Sequence, residues 1–277
     1  MESIYSIPAY DTPIRQGDVI KKVSRIGNVY GLVITADCDI ARGRHGNHYT
    51  WIEIIPSAKY IDEKWLPIEI GKILSKQVKS VLEYVNSKLK AKGLGELSDD
   101  RLISWVTDIG AKEFLLKISE EEPPAEILSK LEGLIILMDP GNQSALDRVK
   151  KSASYFRINV ENFIEGAKKH LVKFDDGFPD FFYIPKLPEE LSGGCAALLR
   201  NIYSIQNEEI FLSESDARIN DCPSGFFRMC RLSDRVKYSV VQKTTFLFSR
   251  IGMTPEFEAL TSESAENSSR ATFGAGV

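Results

Sequence analysis

The sequence predicts an α+β protein: an antiparallel β-sheet or small barrel built from both ends of the chain, with a large, mostly helical middle insertion. Three observations carry this. Short β-branched or alternating apolar stretches fill residues 17–55 and return over 180–232. Between them, over 65–172, apolar spacing changes to three and four. Each β part alone is too small to bury an apolar face, so each needs the other.

The elements follow in chain order. Residues 1–13 read as an irregular arm interrupted by Pro8 and Pro13. Asp18–Val23, Asn28–Thr35 and Tyr49–Ile55 read as strands, and Pro56 ends the third. Ile70, Ile73, Leu74, Val78, Val81, Leu82, Val85 and Leu89 mark a helix over Ile68–Ala91, stopped by Gly93 and Gly95. Ser98 caps a helix expected to run to Ile118, and Glu120–Pro124 breaks the pattern. Ala125–Met138 is the next helix. Gln143–His170 follows, with a break expected near Asn159. Strands are expected at Asp180–Ile184, Ala196–Ile205, Glu209–Leu212 and Phe226–Leu232. Ser233 caps a last helix, Asp234–Ile251, with Gly252 beyond it. The resulting division is 1–62 and 175–257 as the two β parts of one core, 63–174 as the helical insertion, and 258–277 as a small, polar, disordered tail.

Composition narrows the function classes. A chain of 277 residues with 43% hydrophobic and 27% charged residues is ordinary globular material. A net charge of −4 excludes an overall basic footprint for nucleic acid but not a local patch. Cys38, Cys195, Cys222 and Cys230 form no C-x-x-C pair and read as reduced thiols of a cytoplasmic protein. No apolar run reaches the ~18–20 residues of a membrane helix, and MESIYSIPAYDTPIRQGD, without a cationic start and apolar block, does not read as a signal peptide. P-loop, G-x-G-x-x-G and H-E-x-x-H patterns are absent.

The stretch GLVITADCDIARGRHGNHYTW, residues 31–51, concentrates the reactive residues. Asp37 and Asp39 after a buried strand could put two carboxylates at one sheet rim, where hard divalent ions find oxygen ligands. Mg²⁺ or Mn²⁺ would suit the pair better than Zn²⁺. In that reading His45 or His48 serves as general base. Cys38, His45 and His48 also form C-x6-H-x2-H, which suits zinc, or a Cys–His nucleophilic pair. The plainer alternative has Asp37 and Asp39 satisfying backbone donors in a turn. Arg42, Arg44, Arg228 and Arg231 could form a basic surface, joined by Arg235, Lys237, Lys243 and Arg250. With Tyr49, Trp51, Phe226 and Phe227 close in sequence, that surface would suit phosphates and stacked bases.

Two resemblances add to this. The order GDVI, GLVIT, YTWIEIIP resembles the layout of the MazF/PemK small-barrel toxins. That family's Arg-Pro before the central strand is Tyr30-Gly31 here, and its Pro-Ile-Thr-Ser is only Pro56-Ser57. RNA cleavage by the family's mechanism is therefore not implied. Val33–Ile40, VITADCDI, is similar to a VISQDCDI signature of uncharacterised bacterial proteins, as is the closing FLFSRIG. This implies that both ends of the chain belong to one unit. The expected function is a bacterial component that binds a protein partner or nucleic acid, in a defence or toxin–antitoxin setting. The alternative is a divalent-metal phosphodiesterase or nuclease using Asp37 and Asp39.

Overall fold

A computed structural model of the chain describes residues 3–25, 27–119, 121–139, 141, 143–172, 180–222, 225–249 and 254–273. The first strands are β1 (Tyr5–Ser6), β2 (Asp18–Lys22), β3 (Val29–Val33) and β4 (His48–Pro56). From the far end come β5 (Phe181–Ile184), β6 (Cys195–Gln206), β7 (Ile210–Phe211) and β8 (Phe226–Leu232). They form one half-barrel in the order β1-β8-β2-β3-β4-β6-β5, antiparallel throughout, with β7 added parallel to β8. As the sequence predicts, the sheet forms only because strands from both ends pair: β2 with β8, and β4 with β6.

Alternation gives the sheet two apolar faces. Val19, Tyr30, Leu32, Ile52, Ile54, Cys195, Ala197 and Leu199 pack under α10 (Asp234–Phe248) through its Val240 and Leu247. Ile20, Val33, Tyr49, Trp51 and Ile205 occupy the other face, beneath Ile14 of the arm and Phe226. Irregular register bends the sheet. Between Val19 and Ile20 the β8 partner skips from Cys230 to Arg228. Between Ile52 and Ile54 the β6 partner skips from Ile202 to Ala197.

The short α1 (Asp37–Ala41) lies between β3 and β4; the helical middle then holds α2 (Ser57–Tyr60), α3 (Leu66–Ala91), α4 (Asp99–Ile109), α5 (Ala111–Ile118), α6 (Ala125–Met138), α7 (Ala145–Phe156) and α8 (Val160–Val172). Helix starts directly after Pro56, and a wide π turn at Ile61–Trp65 leads into α3. The turn sits just before Pro67, which has no N–H to donate back. The long helix expected to reach Ile118 is broken at Gly110, whose φ of 83° no helix interior holds. The expected break near Asn159 lies at Arg157, in a left-handed conformation (φ 55°). Val81, Val85, Leu102, Phe114, Leu131 and Leu134 make a helical core of their own. A second cluster joins it to the sheet: Leu66, Ile70, Leu137 and Val149 pack with Ile55, Phe181, Ala196 and Leu198.

After β7 comes the short α9 (Glu214–Ile219), and after α10 comes α11 (Pro255–Phe273). The tail expected to be disordered is thus helical over most of its length. Thr254 accepts from the Phe257 N–H, Glu256 and Glu258 occupy the first turn, and Arg270 pairs with Glu266 one turn back. Its side chains over 254–270 are all exposed. The expected end of α10 at Ile251, the Gly252 cap and Arg250 lie outside the described residues. Among those described, no helix is long and apolar enough to cross a membrane.

Candidate functional site

The Asp37-Cys38-Asp39 stretch does not continue the strand. Ala36 is extended and the chain then coils into α1, a single turn. Successive residues of a helix are ~100° apart, so Asp37 and Asp39 leave this turn on nearly opposite sides. Asp37 Oδ1 accepts the Gln16 N–H at 2.9 Å, and Oδ2 accepts from Lys237 Nζ at 3.3 Å. Among the described residues the Asp39 carboxylate meets only the Cys38 thiol, at 3.9 Å. Among the described residues no group of three or more His, Cys, Asp and Glu side chains is placed to hold a metal ion.

Asp37 instead joins a buried charge network at the junction of arm, sheet and α10. Asp18, at the start of β2, is fully buried. Its carboxylate accepts from Arg231 Nε at 2.6 Å and Nη2 at 3.0 Å, and from the Arg15 N–H at 2.9 Å. Arg228 Nη1 lies 3.8 Å away. Residues 228 and 231 would face opposite sides of a regular strand. The skipped Met229 brings both to Asp18. Arg228 also donates to the carbonyls of Thr12 (2.6 Å) and Ala9 (3.1 Å), which fastens the arm. Burial pushes the Asp18 carboxyl up, against the pull of Arg231. Lys237 is lowered by burial but raised more by Asp234 and Asp37, and stays above its ordinary value. It lies across Gly17, where a Cβ would sit 2.7 Å from its Cδ. Of the expected basic surface, Arg228 and Lys237 are therefore interior, Arg231 is mostly covered, and Arg235 is exposed.

Arg42 and Arg44 lie on the turn between α1 and β4. Both are exposed, with no ion-pair partner among the described residues. The two histidines of that turn part company. His45 stacks on Tyr49 at 5.1 Å and its Nε2 faces the Asn207 amide at 3.3 Å. His48 is exposed, its Nδ1 2.8 Å from the Gly46 carbonyl.

From this turn a row of rings runs along β4. Tyr49 and Trp51 share the second sheet face. Trp51 lies against Gly31 of β3, where any Cβ would be within van der Waals overlap, 2.4 Å from its Cε3. Tyr203 of β6 stacks on Trp51 at 4.7 Å and 28° and is 45% exposed. Phe226 flanks it at 5.2 Å, with Lys22 Nζ 5.6 Å from the Phe226 ring centre. Trp51 Nε1 is buried without a hydrogen-bond partner among the described residues.

Comparison with family models, with curated proteins and with solved structures returns no match. The chemistry of the site therefore rests on its own geometry.

A second polar cluster lies at the other end of the central strands. Lys21 of β2, nearly buried, bonds Glu189 and lies 3.4 Å from Glu190. Glu190 also accepts from Asn28 Nδ2 at 2.8 Å. Its carboxyl is lowered to about 2, first by the backbone N–H of its own residue, then by the Tyr30 hydroxyl. A depressed carboxyl contributes stability above its ordinary 4.5 and loses it as pH falls toward about 2. Glu190→Gln is expected to flatten the fall of the urea midpoint across that window. Identical acid limbs in the two proteins would refute the assignment.

Nothing in the sequence distinguishes Tyr203, Lys22, Lys21, Tyr30 or Glu190 from their neighbours. Tyr203 lies between Ile202 and Ser204 inside an expected strand, and only the pairing of Trp51 with Tyr203 gives its ring a role. Cys195 and Cys230, on the face beneath α10, have thiols that burial pushes up to about 12, which leaves them unreactive.

Proposed function

We propose that the protein is a nucleic-acid-associated binding component, and that the face from Arg42 and Arg44 to Tyr203 takes a single strand. One observation carries this reading. Trp51 is seated against Gly31 and presents Tyr203 as an exposed ring, on the sheet face that leads from a turn with two arginines that have no ion-pair partner among the described residues. Aromatic rings stack any base, and arginines at the end of the row meet phosphates. The overall charge of −4 makes the attraction local. The hydrolase reading needs Asp37 and Asp39 to share an ion. Asp37 is bonded to Lys237 and Gln16, and Asp39 leaves the turn on the other side, so binding has the better support.

The test is fluorescence anisotropy with labelled single-stranded DNA and RNA. Losing one stacked base costs about 1–3 kcal/mol, so Tyr203→Ala is expected to weaken binding roughly 5- to 150-fold. Arg42→Ala with Arg44→Ala should lower the salt slope by about 0.7 for each phosphate that the two arginines neutralise. Wild-type protein that binds neither strand at about 50 mM salt, where phosphate attraction is strong, would sink the reading.

A further inference from the structure

A cavity of about 320 Å³ opens beside the Lys21–Glu190 cluster, between the start of β3, the end of β4 and the short turn Glu189–Leu191. Its walls are mixed: Val29 and Pro56 give apolar surface, while the side chains of Ile54 and Ile55 turn into the two cores behind it. Glu53 and Glu190 both line it too, with Asn28 and Tyr30 beside them. Glu190 already has Lys21 at 3.4 Å. Glu53 is half-buried, its Oε2 accepts from Asn201 Nδ2 at 2.7 Å, and no ion-pair partner stands near it among the described residues. Lys59 also lines the cavity, 3.9 Å from Glu63 and half exposed.

A carboxylate withdrawn from bulk water is stabilised by an opposite charge, and apolar walls reward an aliphatic stem. A cavity of this size with a few convergent polar groups has the form of a small-molecule site. We propose that this cavity binds a small aliphatic cation, an alkylamine or alkylguanidine, with its charged head at Glu53 and its carbon chain along Val29 and Pro56. Glu53 lies two residues from Trp51 along β4, but cation binding there does not depend on strand binding. It is unlike a phosphate or carboxylate site, because the charge it leaves unanswered is negative.

The experiment is calorimetric titration of the full chain with putrescine, agmatine, 1-butanol and N-acetyl-arginine amide. Putrescine or agmatine should bind, and the neutral alcohol at least tenfold more weakly. Glu53→Gln, which keeps the shape and an oxygen for Asn201, should weaken the amine at least tenfold. Lys59→Met removes the competing cation and should tighten binding severalfold. These opposite directions separate loss of the site from loss of the fold. Tighter binding of the blocked arginine than of agmatine would support the same chemistry and move its source to a polypeptide side chain. No heat from any cation at millimolar concentration would overturn the proposal. So would equal affinity in Glu53→Gln, or butanol binding as well as putrescine.

Discussion

Asp18→Asn is expected to cost about 3–5 kcal/mol, a large loss for a single residue. The substitution keeps the side-chain shape and removes the charge that faces Arg231 and Arg228. Arg228 is then left buried without a carboxylate beside it, and Arg231 keeps the weaker pull of Asp37. Domains of this kind are held by about 5–15 kcal/mol in all, so the change removes a large part of the margin. Urea denaturation followed by circular dichroism measures it. The arm should loosen as well, because Arg228 and Arg231 bond its carbonyls at Ala9, Thr12 and Pro13. Limited proteolysis should then cut within residues 3–17. Adding Arg231→Met to the variant should recover part of the loss, since an apolar side chain needs no partner. A loss below about 1 kcal/mol would mean that the network contributes little.

The second large effect is at Trp51. Trp51→Ala removes a buried indole and is expected to cost about 3–5 kcal/mol. Gly31→Val tests the same packing from the other side. It adds atoms where even a Cβ lies 2.4 Å from Trp51 Cε3 and 3.1 Å from Ile20 Cγ1. Overpacking of this kind costs about 1–3 kcal/mol. The ring must also shift, so on the proposed reading Gly31→Val is expected to weaken oligonucleotide binding in the same direction as Tyr203→Ala. Unchanged near-ultraviolet dichroism of the indole in Gly31→Val would contradict this account.

Much of the architecture is legible in the sequence because the two apolar periods occupy different parts of the chain. Ala125–Met138 coincides with its expected helix, since Pro124 and Asp139 bracket a strongly periodic run. Gly110 breaks a helix unannounced, because a glycine inside a periodic run does not reveal its φ. The single turn at Asp37–Ala41 is too short to show any period. The site is legible only in pieces. Tyr49, Trp51 and Phe226 stand out as rings beside basic residues, yet their order depends on β4 pairing with β6 across the whole helical insertion. Arg228 and Arg231 read as surface cations because the register skip at Met229 has no local signature. Glu53 looks like one more polar position in a strand until Asn201 and the cavity wall meet it.

The interlaced order of the strands has a consequence for synthesis. β2, β3 and β4 leave the ribosome early, but both flanks of that three-stranded ribbon stay unpaired until β6 and β8 arrive. At ~5–20 residues per second the wait for β6 after β4 is on the order of 10 s. Through that interval Tyr49, Trp51 and Ile52 are in water, on a ribbon with two open hydrogen-bonding edges. The helical middle can meanwhile begin to pack through contacts close in sequence. Nascent chains halted before residue 195 should therefore crowd together or hold a chaperone, and those extended past residue 232 should release it.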